Sequence, residues 1–203
     1  MDEWGSSKYI HTLVESMKYA FADRSEYIGD PDFIKIPLDS LLSKHYAKNI
    51  FSFIGDGSTP STEIYTGDFI GQNESEETTH YSIVDRFGNA VSTTTTINSS
   101  YGSKVVVEGA GFLLNNEMDD FSSKPGEPNQ FGLIGSDANK IEPNKRMQSS
   151  MSPTIILKDN KPVLVVGSPG GSTISTVVLQ VILNVLNFGM NIQQAINMPK
   201  IHH

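Results

Sequence analysis

Residues 75–85 read SEETTHYSIVD. An acidic run gives way at once to Thr78, Thr79 and His80, and then to the alternation of a strand. RFGN (86–89) has turn chemistry, and NAVSTTTTIN (89–98) reads as the partner strand, which predicts a hairpin. Period-two alternation puts Thr94, Thr96 and Asn98 on one face, and Thr93, Thr95 and Ile97 on the other. His80, two residues from Thr78, shares the Thr78 face. A strand face with two hydroxyls and an amide is either solvated or lines a site. Why a strand should open so abruptly on a hydroxyl residue is the question from which the rest follows.

The surrounding chain narrows the answer. Its 203 residues suffice for one sizeable core or a large piece of a bigger domain. A formal net charge of −8, with no Lys/Arg cluster, argues against nucleic-acid binding, because phosphate neutralisation needs a basic face. Cysteine is absent, which removes disulfides, thiolate chemistry and Cys-based metal sites. No apolar run reaches membrane-spanning length, since TVVLQVILNVLNFG is interrupted by Gln180, Asn184 and Asn187. The opening MDEWGSSKYI has neither the basic nor the apolar region of a signal peptide.

Elements outside the first hairpin follow from spacing. Ile10, Leu13, Val14, Met17, Ala20 and Phe21 predict a helix from Ser6 to about Arg24, stopped by Gly29-Asp30-Pro31. A second helix is expected after Pro37, with Leu41, Leu42, Tyr46 and Ile50 on its buried side. His11 and His45 sit singly on these helices and are assigned to surface or core packing. Residues 55–77 form a long loop with six acidic residues and no Lys or Arg. Residues 102–147 read mainly as loops, with a strand near Phe112 to Leu114. SPTIILKDNKPVLVVGSPGG is a second hairpin turning at Asp159-Asn160, followed by an apolar helix from about Thr173 to Asn187 and a shorter one in IQQAINMP. Helices, hairpins and a buried helix make an α+β layered arrangement with mostly antiparallel pairing.

Three stretches carry polar groups in chemically useful patterns, each with an ordinary alternative. GSPGGS (167–172) could bring free N–H groups to an oxyanion at a helix start, or be a tight turn; it lacks the Lys of a phosphate-binding loop. NNEMDD (115–120) offers Glu117, Asp119 and Asp120 for an ammonium group, or is a solvated acidic loop; its spacing does not suit a calcium loop, and no metal is expected. QSSMSP (148–153) pairs Ser149 with Ser150, hydroxyls that can bind a carboxylate or simply occupy a loop. No GxSxG elbow is present, and His80 fits a structural hydrogen-bonding place better than a base.

The order of these pieces is more specific than any one of them. THYSIVD, TTTTIN, LLNNEMDDFS, DANKIEPNKR, SSMSPTI, GSPGGS and NMPKIHH, preceded by YAFADRSEYIGDPDF, resemble the γ-glutamyltranspeptidase (γ-glutamyltransferase) family across essentially the whole chain. The resemblance implies the N-terminal-nucleophile hydrolase fold, a four-layer αββα sandwich of which this chain would make part. Family precursors are longer at both ends. Residues 1–77 would then be the C-terminal part of the large-subunit region and 78–203 the small-subunit catalytic region, both in one domain.

Such proteins cut themselves before a Thr, and the matching motif places the cut between Glu77 and Thr78. The strand opens abruptly because a new chain begins there. A Thr hydroxyl is a poor nucleophile without an adjacent base, and a freed α-amino group, with a pKa of about 7.7–8.0, is one. By the same resemblance Thr96 hydrogen-bonds the nucleophile, and Gly170 and Gly171 form the oxyanion hole. Asn98, Glu117 and Asp120 hold the substrate α-amino group, and Ser149 and Ser150 its α-carboxylate.

PGEPNQFGLIG (125–135) resembles the family's lid loop, with Phe131 where several members have Tyr. The implied activity is cleavage of γ-glutamyl amides such as glutathione, with transfer to water, amino acids or peptides and with no cofactor. The remaining large-subunit polypeptide is the implied partner and a periplasmic or extracellular site the implied location. Alternatives are a related amidase of the cephalosporin-acylase or capsule-processing kind, and a non-catalytic protein that keeps the fold.

Overall fold

The computed structural model describes residues 3–64, 78–130 and 133–203. They form two compact units that interleave along the chain: Met1–Gln72 with Met118–Gln148 and His202–His203, and Asn73–Glu117 with Ser149–Ile201. Both helices and antiparallel hairpins are present, as the α+β reading expects.

The first unit is built on α1 (Ser7–Tyr27), whose N-cap Ser6 accepts a hydrogen bond from the N–H of Tyr9. It runs three residues past the expected Arg24. Leu13 and Met17 are buried as the spacing requires, but so are Glu15 and Lys18. Lys18 Nζ lies 2.7 Å from Glu15 and 2.7 Å from the Thr59 carbonyl it donates to, while the Thr59 N–H points back at the Glu15 carboxylate. A buried charge is tolerated when paired and fully hydrogen-bonded, and here the pairing fastens residues 58–59 to the helix.

The expected second helix is two: α2 (Leu38–Leu41) and α3 (Lys44–Phe53), separated because Ser43 caps α3 by accepting from the Tyr46 N–H. The break turns Leu42 outward, 80% exposed, against the expectation of burial. His11 donates from Nε2 to the Gly55 carbonyl oxygen at 2.8 Å, and His45 pairs with Asn49 one turn on. A short α4 (Ser61–Ile64) lies within the stretch read as loop.

The second unit holds two hairpins and two helices. β1 (Thr79–Val84) pairs with β2 (Ala90–Thr95), turning through Asp85, whose carboxylate accepts from the N–H groups of Phe87 and Asn89. β3 (Thr154–Lys158) pairs with β4 (Lys161–Val166), turning at Asp159 and Asn160, both with positive φ as a type I′ turn demands. The strand expected near Phe112 to Leu114 is reduced to one bridge, Val106 to Leu113.

Leu164 and Val166 of β4 pack with Ile174, Val178 and Val181 of α5 (Ile174–Leu186) and Ala195 of α6 (Ile192–Asn197) to make the core. Of the polar residues that interrupt the apolar run, Gln180 and Asn184 are buried and used, while Asn187 is the exposed C-cap of α5. Gln180 donates to the Ile201 carbonyl and accepts from the Ile201 N–H, and Asn184 donates to the Ala195 carbonyl. The last residues of this unit are thereby fixed to the core helix. Among the described residues no helix is long and apolar enough to cross a membrane.

Candidate active site

The β1–β2 register sets Thr79 opposite Thr95 and His80 opposite Thr94. Carried one residue further, it sets Thr78 opposite Thr96, and facing residues of an antiparallel pair have Cβ atoms about 4.5–5.5 Å apart. Thr78 is buried, and Thr96 is partly so. The Thr96 hydroxyl oxygen accepts from the Asn98 N–H at 2.9 Å, which orients it and leaves its own O–H able to donate. Below this pair, His80 Nδ1 lies 2.8 Å from the Thr94 hydroxyl and Nε2 lies 3.0 Å from the Ser82 hydroxyl. Burial lowers the His80 pKa, favouring the neutral ring. One face of the hairpin is thus hydroxyls and an imidazole.

That face meets the glycine-rich loop. Ser92 donates to the Val166 carbonyl at 3.1 Å. The His80 ring lies so close to Gly167 that a Cβ there would come within 2.2 Å of the ring. Beyond it, Gly170 and Gly171 take φ of +127° and +54°, backbone that side-chain-bearing residues rarely adopt. The turn closes through Thr173, whose N–H and hydroxyl both donate to the Gly170 carbonyl. Among the described residues the N–H groups of Gly170 and Gly171 meet no acceptor, and the 3₁₀ turn Gly171–Thr173 leads straight into α5. Two adjacent donors at a helix start are suited to a developing negative charge.

The residues expected to recognise substrate are distributed unevenly. Asn98 is buried but not in the strand: β2 ends at Thr95, and Asn98 has φ of +76°, so strict alternation stops before it. Its side chain donates to the Asn116 carbonyl at 3.3 Å. Asn116 in turn accepts from the Ser99 N–H and donates to the Ser99 hydroxyl. Asn116, not singled out from the sequence, therefore joins the TIN turn to the start of NNEMDD. Glu117 is half-buried with its pKa raised by burial.

Ser149 is exposed, and its hydroxyl accepts from the Met151 N–H; Ser150 is half-buried. Thr78, Thr96, Asn98, Glu117, Ser149, Ser150, Gly170 and Gly171 all belong to the second unit. Asp120 belongs to the first, where its carbonyl accepts from Asn139 and its carboxylate opposes a lowering of the Arg24 pKa, which burial takes to about 10. Glu77 and Phe131 lie outside the described residues. Among those described, no group of three or more His, Cys, Asp or Glu is arranged to hold a metal ion. Ser82 and Ser92 also escaped the sequence reading, and Gly167 was read only as the start of the glycine-rich loop; their signal, hydroxyl and small residues facing His80, emerges only once the hairpins are paired.

The whole chain, residues 1–203, matches the model of the γ-glutamyltranspeptidase family. It is 52% identical over 201 residues to the glutathione hydrolase proenzyme of Escherichia coli, covering 98% of this chain and 34% of that protein. With the Pseudomonas aeruginosa glutathione hydrolase proenzyme it shares 50% identity over 202 residues, 99% of this chain and 35% of that one. The chain thus spans about a third of the length of these relatives.

Among solved structures, a variant of Helicobacter pylori γ-glutamyltranspeptidase superposes with a TM-score of 0.60 at 68% identity, over 61% of this chain and 67% of that one. A cephalosporin acylase from Bacillus halodurans superposes with a TM-score of 0.76 at 25% identity, over 98% of this chain and 33% of that one. The fold is the α+β N-terminal-nucleophile hydrolase fold of those enzymes. By its matched residues, the chain belongs to the γ-glutamyltranspeptidase family.

Proposed function

We propose that this chain is the autoprocessing, catalytic part of a γ-glutamyltransferase that also hydrolyses γ-glutamyl amides such as glutathione. The observation that carries the reading is the placement of Thr78. It is buried, it directly precedes the strand whose Thr79 pairs with Thr95, and through His80 that strand abuts the loop that runs from Gly167 through Gly170 and Gly171 into α5. The Glutathione hydrolase proenzyme name of the relatives supports it.

Processing comes first. The Thr78 hydroxyl attacks the carbonyl carbon of Glu77, the acyl group passes from nitrogen to oxygen, and water hydrolyses the ester. Residues 1–77 and 78–203 become separate chains, and the α-amine of Thr78 is freed. In turnover that amine takes the hydroxyl proton as Thr78 Oγ attacks the substrate γ-carbonyl. The N–H groups of Gly170 and Gly171 meet the oxyanion, and Thr96 steadies the nucleophile.

The leaving amine takes the proton, leaving a γ-glutamyl ester on Thr78. Water or the amine of an amino acid or peptide then attacks the ester and restores the hydroxyl. Asn98, Glu117 and Asp120 receive the substrate ammonium, and Ser149 and Ser150 its carboxylate. This set of donors and acceptors favours a glutamyl group over the acyl groups of a cephalosporin acylase. The remaining large-subunit polypeptide is the proposed partner and a periplasmic or extracellular site the proposed location, both from the family.

Intact-mass spectrometry under denaturing conditions tests the processing step. Two species divided between Glu77 and Thr78, absent in Thr78→Ala, together with release of p-nitroaniline from γ-glutamyl-p-nitroanilide, are expected. A full protein that stays uncut and turns over no γ-glutamyl anilide would refute the reading.

A further inference from the structure

NNEMDD enters the mechanism above only through its acidic residues, yet its two asparagines hold the backbone around them. Residues 103–114 double back, with the Leu114 N–H donating to the Val105 carbonyl and the Ser103 N–H to the Leu114 carbonyl. That return brings Asn116 to Ser99. Asn116 Oδ1 accepts from the Ser99 N–H at 3.0 Å, and Asn116 Nδ2 donates to the Ser99 hydroxyl at 2.9 Å. A backbone N–H only donates, so the first contact fixes which way this amide faces. The Asn116 N–H also donates to the Ile97 carbonyl at 3.3 Å.

The peptide that joins Asn116 to Glu117 is bonded on both sides. Its carbonyl accepts from Asn98 Nδ2 at 3.3 Å, and its N–H donates to Asn115 Oδ1 at 3.0 Å. Asn98 needs such support, because its φ of +76° lies in the left-handed region, which Asn adopts more readily than most residues but still at a cost. Its buried side chain turns Nδ2 to the Asn116 carbonyl, so Oδ1, the acceptor that an ammonium requires, is directed to the other side of the amide. A linked set of hydrogen bonds of this kind holds its members in one arrangement.

The inference rests on the proposed function, in which Asn98 and Glu117 receive the ammonium of the γ-glutamyl group. Both belong to the second unit, as do Ser99, Asn115 and Asn116. We infer that Asn116 is a positioning residue: by gripping Ser99 it sets Asn98 and Glu117 at a fixed spacing, and so governs affinity for the ammonium end of the substrate. The Asn98 N–H reaches the Thr96 hydroxyl without passing through Asn116, which leaves the chemical step alone.

The test uses the full protein. Asn116→Ala removes both side-chain contacts with Ser99 and keeps the backbone carbonyl that Asn98 holds. Ser99→Ala removes only the hydroxyl partner and serves should the first variant fail to fold. Intact mass reports self-cleavage, and steady-state kinetics use γ-glutamyl-p-nitroanilide. For Asn116→Ala the expected result is cleavage as in the wild type, KM raised about fivefold or more and kcat within about threefold, the pattern of lost binding common to ground and transition states. Ser99→Ala should raise KM about twofold or more within the same limit on kcat.

A folded, cleaved Asn116→Ala protein whose KM rises less than about fivefold, or whose kcat falls more than about threefold, would overturn the inference. A folded variant that stays uncut would do the same, since the residue would then act on the chemistry of Thr78. If Asn116→Ala does not fold, Ser99→Ala decides by its own limits, and failure of both to fold would make the network a folding element only. A wild-type protein that releases no p-nitroaniline would sink the function beneath it; wild-type turnover with an unmoved variant KM would sink this inference alone.

Discussion

The two hairpins of the second unit are alike in form and opposite in use. Each is an antiparallel pair of short strands closed by a tight turn. On β3–β4 the inner face is Ile156, Leu164 and Val166, and it packs against α5. On β1–β2 the corresponding positions are His80, Ser82, Ser92 and Thr94, leading up to Thr78 and Thr96. A strand's backbone accepts either set equally well. What differs is whether a face contributes hydrophobic burial or holds hydroxyls in fixed positions. The apolar hairpin makes a platform, and the polar hairpin presents chemistry against it.

The largest test of this division removes the proposed nucleophile. Thr78→Ala is expected to abolish self-cleavage and to lower turnover by about 10³-fold or more while leaving the hairpin folded, since only one hydroxyl and one methyl are lost. Mass spectrometry and thermal denaturation check the two halves of that statement. Next is the loop that leads from β4 into α5. Gly170→Ala must carry a Cβ at φ of +127°, 2.7 Å from the Thr173 hydroxyl. Displacement of this turn should cost about 10²- to 10³-fold in kcat with a smaller change in KM, measured in the steady state.

The platform should answer differently. Ile174, the first residue of α5, is 1% exposed in the hydrophobic core, so Ile174→Ala should lower stability by about 2–5 kcal/mol in chemical denaturation. Turnover per folded, cleaved molecule should stay within about twofold, because no substrate-facing group moves. A large loss of kcat in folded Ile174→Ala would blur the distinction between platform and chemistry.

The smallest effect is a pH slope. The folded protein holds the His80 pKa below its ordinary value, so in the window beneath about pH 6.5 the unfolded chain binds a proton that the folded one refuses. Stability should therefore fall as pH drops through that value toward the lowered folded pKa. His80→Gln should flatten this component in thermal denaturation scans from about pH 7.5 to 5. An unchanged slope would show that His80 is not the group responsible.

Much of this was legible before any coordinates. The helix of residues 7–27, both hairpins and α5 follow from periodicity and turn chemistry, because those signals are local and the chain repeats them within a few residues. Thr78, Gly170 and Gly171 stood out through motif order, and the register sets Thr94 opposite His80 on one face. Asn98 left that face because a left-handed residue ends the alternation, and Leu42 faced outward because a Ser43 cap divided a helix.

Other features belong to the tertiary structure alone. Glu15 and Lys18 have the spacing of any solvated helical pair, and only the arrival of Thr59 makes their burial tolerable. The His80 ring seated on Gly167, and Asn139 spanning Asp120 and Gln148, join residues distant in sequence. Sequence determined the elements and singled out the proposed nucleophile, because propensity, periodicity and motif are written within short windows. Which buried polar groups meet was decided by topology, since a donor and its acceptor carry no mark of one another until folding removes the water that would otherwise satisfy both.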